Sequence, residues 1–193
     1  RSLAFQVWMY GLLAIMGIVF APLAIWSRAG AYYAIDIYLD WVFWGLKHLC
    51  GLTFEVRGKP PSGHAIVASK HQSFLDVLMH FKTLQQPKFI FKSSLKWAPI
   101  LGLWAMRTGA SPVSRGKGAA SLHDMMAEIA AKKTEPGQIV IYPQGTRVTP
   151  GAAAPYKEGV HAIYLTYDEA CTPAAVNGGL FWPRVGLVRK PGV

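Results

Sequence analysis

Ala65-Ile66-Val67-Ala68-Ser69-Lys70-His71-Gln72-Ser73-Phe74-Leu75-Asp76 is the stretch on which the reading of this fold turns. Its first five residues make an apolar run of strand length, and the residues after them read as a loop that opens a helix. His71 and Asp76 stand five positions apart. On one helix they would point about 140° away from each other, at 100° per residue. They meet only if His71 lies in the loop and Asp76 in the first turn of the helix that follows. Ser73 is a fitting N-cap for that helix. In that geometry Asp76 holds the ring N–H of His71 and leaves the other ring nitrogen free as a base. The same spacing also suits an ordinary capped helix start with a surface histidine.

Outward from this unit, strand and helix patterns alternate. Leu52-Thr53-Phe54-Glu55-Val56 alternates like a strand, and Arg57 to Gly63 is a turn cluster. Phe74–Leu84 reads as a helix, Lys88–Phe91 as a strand, and 95–106 as a helix broken by Pro99 and Gly102. An amphipathic helix is expected over 119–132, a strand over 139–142, a helix over 159–167 and a short strand over 174–176. Such alternation implies an α/β domain, with a mixed or largely parallel open sheet flanked by helices. The loop Thr149-Pro150-Gly151-Ala152-Ala153-Ala154-Pro155 is a place for a lid.

The first 50 residues differ in kind. Leu3 to Trp26 carry no charge and one strongly polar side chain, Gln6. As one helix they reach roughly 36 Å, enough for a hydrocarbon core of about 30 Å, with Pro22 kinking the last turn. Ala31 to Cys50 read as a second helix. Asp36, Asp40 and Lys47 form its polar stripe, and Tyr32, Tyr38, Trp41, Phe43 and Trp44 cover much of the rest. Aromatic side chains at this density suit the headgroup boundary, and equally a covering for the domain behind them. The organisation expected is a membrane-anchoring helical pair over 1–50 and an α/β domain over 51–193. Arg1 in place of Met and the end at Val193 are those expected of a trimmed chain, truncated at its C-terminus.

Composition points the same way. Of 193 residues, 52% are hydrophobic and 16% charged, with a formal net charge of +10. A basic and apolar chain without a basic helix or a zinc pattern suits anionic lipid and phosphorylated small molecules, not nucleic acid. Cys50 and Cys171 are isolated, as in a reduced, cytosol-facing domain. None of His48, His64, His80, His123 and His161 makes a metal-ligand spacing with Cys or Glu, so no metal is expected.

Three further segments extend the pattern begun at His71. They are Gly109-Ala110-Ser111-Pro112-Val113-Ser114-Arg115, Tyr142-Pro143-Gln144-Gly145-Thr146-Arg147 and Thr172-Pro173-Ala174-Ala175-Val176-Asn177. In this order, from about Phe54 to Trp182, the four segments resemble the glycerolipid acyltransferase family of the His-x4-Asp type. The resemblance implies transfer of a fatty acyl group from acyl-CoA or acyl-carrier protein to the sn-2 hydroxyl of 1-acyl-sn-glycerol-3-phosphate. It implies His71 as general base oriented by Asp76, with no cofactor beyond the thioester co-substrate. Arg115 and Arg147 match the family's acceptor-phosphate positions, and both suit a bidentate grip on phosphate. Gly145 would admit backbone donors and Thr146 would add a hydroxyl. Lys92 and Lys96 either widen the positive field or are solvated surface lysines. Pro173 and Asn177 match the block that shapes the acyl or thioester side of the cleft. Ser73 is an unpromising nucleophile, two residues from His71 and without a nucleophile elbow.

One position departs from the family. Gln144 stands where the resembled family has Glu, and Gln cannot act as a base or balance the charge of Arg147. Ala175 and Gly178 are milder variants. The expected partners are a phospholipid bilayer, the lysophosphatidate acceptor and the thioester donor. The expected location is the inner membrane, with the catalytic domain facing the cytosol. Two alternatives stay open: an acyltransferase for another lyso-lipid, such as a lyso-ornithine lipid, or a non-catalytic module that binds anionic lipid.

Overall fold

Five parallel strands carry the functional motifs. In the computed structural model, which describes the backbone of residues 1–113 and 118–193 and all their side chains except those of 118–122 and 124, these strands are β1 (Ala65–Ser69), β2 (Pro87–Lys92), β3 (Ser111–Val113), β4 (Gln138–Ile141) and β5 (Cys171–Ala174). They form one sheet in the order β3-β2-β4-β1-β5. All its pairings are parallel, with Ile66 of β1 opposite both Ile139 and Cys171. The sheet expected from sequence as mixed or largely parallel is therefore parallel throughout its described strands. Parallel strands need crossovers, and helices supply them: α4 (Leu75–Thr83), α5 (Leu101–Arg107), α6 (Gly118–Ala131) and α7 (Gly159–Tyr167).

Alternation along the central strands divides the core. Ile66, Ile139 and Ile141 pack with Met125, Ile129, Ile163 and Tyr167 of α6 and α7. Val67 and Val140, one residue out of phase, face Leu84, Phe89 and Ala110 on the other side. Each such fully buried side chain contributes about 1.5–3 kcal/mol relative to exposure.

The N-terminal third corrects one expectation. Residues 3–26 are not one helix but two, α1 (Ser2–Val19) and α2 (Ala21–Trp26). Pro22 is the cause. It has no N–H for the Ile18 carbonyl and its ring would strike that carbonyl, so the helix stops and restarts with Pro22 in the first turn of α2. The 18 residues of α1 reach about 27 Å. Then α3 (Arg28–Gly45), started by Ser27, whose Oγ accepts the Gly30 N–H at 2.8 Å, runs on into a π-helical turn over Leu46–Cys50.

One face of α1 belongs to the domain. Phe5, Met9, Leu13 and Gly17 recur every fourth residue and are buried. They share a core with Ala34, Ile35, Leu39 and Val42 of α3, with Leu75 and Leu78 of α4, and with Trp104 and Trp182. The other face, with Leu3, Val7, Tyr10, Ile15, Ile18 and Val19, is exposed. The polar stripe of α3 also points inward in part. Asp36 and Asp40 both pair with Lys82 of α4, at 2.6 and 2.8 Å. Trp41 and Trp44 of α3 remain half-exposed and cluster with Trp8 of α1.

Two strands fall elsewhere than expected. The alternation at Leu52–Val56 does not produce a strand. Leu52 makes a single bridge to Gly192, and the Thr53 N–H donates to the Gly192 carbonyl at 2.9 Å, so among the described residues the segment has no partner strand to extend against. The last strand is Cys171–Ala174, three residues earlier than 174–176, because the buried neighbour it pairs with is β1. The short strand β3 has no expectation behind it. Its Pro112 sits at the sheet edge, where a missing N–H is tolerated.

Candidate active site

In an open parallel sheet the ends of the strands converge on one rim, and the loops there hold the chemistry. Here β1 ends at Ser69 and delivers His71. Strand β4 ends at Ile141 and delivers Tyr142 to Arg147, and β5 ends at Ala174 and delivers Asn177 to Gly179. The end of β2 delivers Lys92 and Lys96. The end of β3 precedes Arg115, which lies outside the described residues.

The pairing inferred from spacing is present. His71 Nδ1 lies 3.1 Å from Asp76 Oδ2. The same oxygen accepts the backbone N–H groups of Gln72 at 2.6 Å and Ser73 at 2.8 Å. Asp76 thus caps its own helix start by reaching back, and Phe74 takes the N-cap position in place of Ser73. The Ser73 hydroxyl accepts the Leu75 N–H at 3.1 Å, and the residue is fully buried. With Oδ2 accepting three donors, His71 Nδ1 carries a proton, and Nε2 is the ring nitrogen left for another partner. Among the described residues nothing hydrogen-bonds Nε2, and the His71 side chain is 14% exposed.

Two aromatic neighbours escaped the sequence. The Tyr142 ring lies parallel to His71, with centroids 3.9 Å apart and planes 16° apart. It fixes the imidazole plane that Asp76 fixes at one edge. The Tyr142 hydroxyl is buried and without a partner among the described residues, and burial pushes its ionisation well above the ordinary value, so it is a neutral ring here. His80 stands one helical turn after Asp76 on α4. Its Nε2 lies 2.8 Å from the Ser69 hydroxyl, which itself donates to the Lys70 carbonyl. His80 must therefore donate, as a neutral ring. Burial lowers its pKa to about 4, against the opposing pull of Asp76. The helical spacing of four between Asp76 and His80 was the signal that could have joined them.

Gly178, a mild variant by family pattern, is required by packing. A Cβ there would lie 2.8 Å from Asp76 Oδ1, an oxygen that is buried and has no hydrogen-bond partner among the described residues. Next to it, the Gly179 N–H donates to Gln72 Oε1 at 3.2 Å, which ties the β5 turn to the His71 loop.

The turn after β4 touches His71 at both its backbone groups. Gln144 Oε1 accepts the His71 N–H at 3.3 Å, and the Val148 N–H donates to the His71 carbonyl at 2.8 Å. Gln144 is 6% exposed, so its place beside His71 rests on an acceptor oxygen and needs no charge. Burying a neutral amide there costs less than burying a carboxylate. The Gly145 N–H closes the turn onto the Tyr142 carbonyl at 2.8 Å, so that donor is already spent. The glycine's role is conformational: its φ is +66°. Thr146 is exposed and Arg147 half-exposed. No described carboxylate pairs with Arg147, and its carbonyl accepts from the Arg184 guanidinium at 3.1 Å.

The remaining candidates are more distant or differently placed. Lys92 and Lys96 are exposed beyond β2, two strands from β1, which at sheet spacing is roughly 10 Å. The Lys96 ammonium lies 5.0 Å from the Trp97 ring centre. Pro173 is part of β5 itself, opposite Ala68, and not of the turn beyond it. Asn177 Nδ2 donates to the Val193 carbonyl at 3.4 Å and lines a cavity of about 410 Å3 with Leu75, Met79, Gly178 and Phe181. No three His, Cys, Asp or Glu side chains gather as metal ligands among the described residues.

A family model described as Acyltransferase matches residues 53–177. The chain is 25% identical over 172 residues to the 1-acyl-sn-glycerol-3-phosphate acyltransferase of Pseudomonas aeruginosa, covering 86% of this chain and 65% of that protein. It is 34% identical over 137 residues to the human 1-acyl-sn-glycerol-3-phosphate acyltransferase alpha, covering 68% of this chain and 48% of that one. The chain thus spans between about half and two thirds of the length of these relatives. The crystal structure of the 1-acyl-sn-glycerophosphate acyltransferase PlsC from Thermotoga maritima superposes with a TM-score of 0.74, covering 100% of this chain and 82% of that one at 15% identity, which shows a common fold.

Proposed function

The chain belongs to the acyltransferase family, and on that premise we propose that it moves a fatty acyl group from a thioester to the sn-2 hydroxyl of 1-acyl-sn-glycerol-3-phosphate, forming phosphatidate. One observation carries the reading: the free Nε2 of a histidine locked by Asp76 and Tyr142 sits beside a turn that offers an arginine with no carboxylate partner among the described residues. The relatives named for this reaction support the choice of acceptor.

His71 Nε2 takes the acceptor's hydroxyl proton as its oxygen attacks the thioester carbonyl. General-base help of this kind is worth about 10²–10⁴-fold. The imidazolium that forms is stabilised by the Asp76 carboxylate at Nδ1 and by the face of the Tyr142 ring. The tetrahedral intermediate then collapses, the C–S bond breaks, and the leaving thiolate takes the proton back from Nε2. An ester and a free thiol result, with His71 as it began. Every step uses side chains and the two substrates, with acyl-CoA or acyl-carrier protein as donor and no further cofactor. Arg147 holds the phosphate, Thr146 adds a hydroxyl donor, and Lys92 and Lys96 extend the positive field; Arg115 is assigned to the same phosphate by its motif alone, its position lying outside the described residues.

The acceptor is a membrane lipid, and the exposed face of α1 suits delivery. Leu3, Val7, Ile15 and Ile18 point away from the core, and Trp26 at the end of α2 is 90% exposed. We read this face as lying in the cytoplasmic leaflet of the inner membrane, with α1's other face held by the domain. The test is an acceptor panel. Labelled acyl-CoA is supplied with lysophosphatidate, lysophosphatidylglycerol, lysophosphatidylethanolamine and lyso-ornithine lipid. Label entering phosphatidate first supports the proposal. Label entering another acceptor at higher kcat/KM moves the function to that lipid, and no labelled product would leave a lipid-binding module.

A further inference from the structure

The acceptor turn carries a second cation, which the motif pattern does not contain. The Lys157 N–H donates to the Pro143 carbonyl at 2.8 Å, so the chain leaving the 149–155 loop is pinned against the turn that holds Gln144 and Gly145. From there the side chain lies flat over Gly145. A Cβ on Gly145 would be 3.1 Å from Lys157 Cδ and 3.2 Å from both Cε and Nζ. The missing side chain at Gly145 is therefore what brings the ammonium down onto the turn, one residue from Thr146 and two from Arg147. Among the described residues no carboxylate pairs with Lys157, Arg147 or Arg184, and the neighbouring Gln144 is neutral. Three cations are gathered around one turn without an anion. The same turn is hydrogen-bonded to the backbone of His71 on both sides. In 1-acyl-glycerol-3-phosphate the reacting hydroxyl and the phosphate sit on adjacent carbons. The hydroxyl and the phosphate of the acceptor are thus close together, and this turn is the cation-bearing segment bonded to the His71 backbone.

We propose that Lys157 is a specificity-determining residue of the reaction, its ammonium binding the acceptor's phosphate together with Arg147. The assignment rests on the function proposed above. It gives Gly145 a role in admitting a side chain rather than a backbone donor. It also bears on Gln144: with no carboxylate in the turn, Lys157 and Arg147 have no internal anion there to compete with the substrate.

The test uses the full chain in detergent–lipid micelles, with acyl-CoA as donor and lysophosphatidate as acceptor. Lys157→Met keeps the apolar stem that packs on Gly145 and removes the charge. It should raise the lysophosphatidate KM about 10–100-fold, the range for losing a hydrogen bond to a charged group, with the acyl-CoA KM and the Tm unchanged. Glycerol 3-phosphate, as a competitor, should lose potency by a similar factor, and Lys157→Arg should restore most of both. A lysophosphatidate KM within twofold of wild type in Lys157→Met overturns the assignment and leaves the proposed function standing. A rise confined to the acyl-CoA KM overturns it too, by giving Lys157 to the donor's phosphates. If wild type itself turns over no lysophosphatidate, the functional reading falls first and the assignment falls with it.

Discussion

Replacing Asp76 by Asn removes one negative charge and almost nothing else. The carboxylate is fully buried and its Oδ2 accepts from His71 Nδ1 at 3.1 Å. When His71 takes the acceptor's proton, that contact becomes an ion pair in a site largely closed to water. At a charge separation of about 4 Å and an effective dielectric of about 20, the interaction is worth roughly 4 kcal/mol. Losing it should cut kcat by about a thousandfold. The Asn oxygen can still accept from Gln72 and Ser73, so the start of α4 survives. The amide nitrogen lands where Oδ1 now faces Gly178 without a partner, at a cost of about 1–3 kcal/mol in stability. The assay is thiol release from acyl-CoA at saturating acceptor, with the melting transition followed in parallel. A kcat within tenfold of wild type in a folded Asp76→Asn protein would refute the electrostatic role assigned to Asp76.

Three further outcomes follow from the same geometry. Tyr142→Phe should match wild type, because the hydroxyl has no partner, whereas Tyr142→Leu should lose about 2–10-fold in kcat with little change in either KM, as steady-state kinetics would show. His80 has a folded pKa of about 4 against an unfolded value of 6.5, so the unfolded chain binds the proton more readily between these values and stability falls as pH drops through that window. Denaturant titrations at pH 7 and pH 5 should differ by about 2 kcal/mol from this group, a difference that His80→Gln removes. Gln144→Glu should leave kcat within a few-fold and slightly raise the acceptor KM, since the new charge competes with phosphate for Arg147, while Gln144→Ala should lose more; a large gain in kcat on restoring Glu would show that the carboxylate is catalytic.

What could be read from the sequence was local. A strand, a loop and a helix start placed His71 and Asp76, because the apolar run before them and the cap residues between them are adjacent in the chain. Fold class followed from the same kind of signal, repeated at Lys88–Phe91 and at Ile139–Ile141. The failures were tertiary. Leu52–Val56 has strand alternation but no neighbouring strand, and hydrophobic period cannot report a missing partner. Tyr142 reads as the residue after a strand, and its stacking on His71 depends on β4 lying next to β1 in the sheet. Gly178 looked variable because its constraint is Asp76, a hundred residues away in sequence. Pro22 is visible in the sequence, but whether it kinks a helix or breaks it depends on the packing of α2 against α3, which the sequence does not carry.

The central claim is that His71 is the base for acylation of lysophosphatidate. The most direct measurement follows 13C-labelled acyl-CoA into lipid, by mass spectrometry with positional analysis, for wild type and His71→Ala in the same micelles. The account predicts labelled phosphatidate carrying its new acyl chain at sn-2 from wild type, and at least about 10²-fold less from a folded His71→Ala protein. Comparable labelled phosphatidate from both proteins would contradict it.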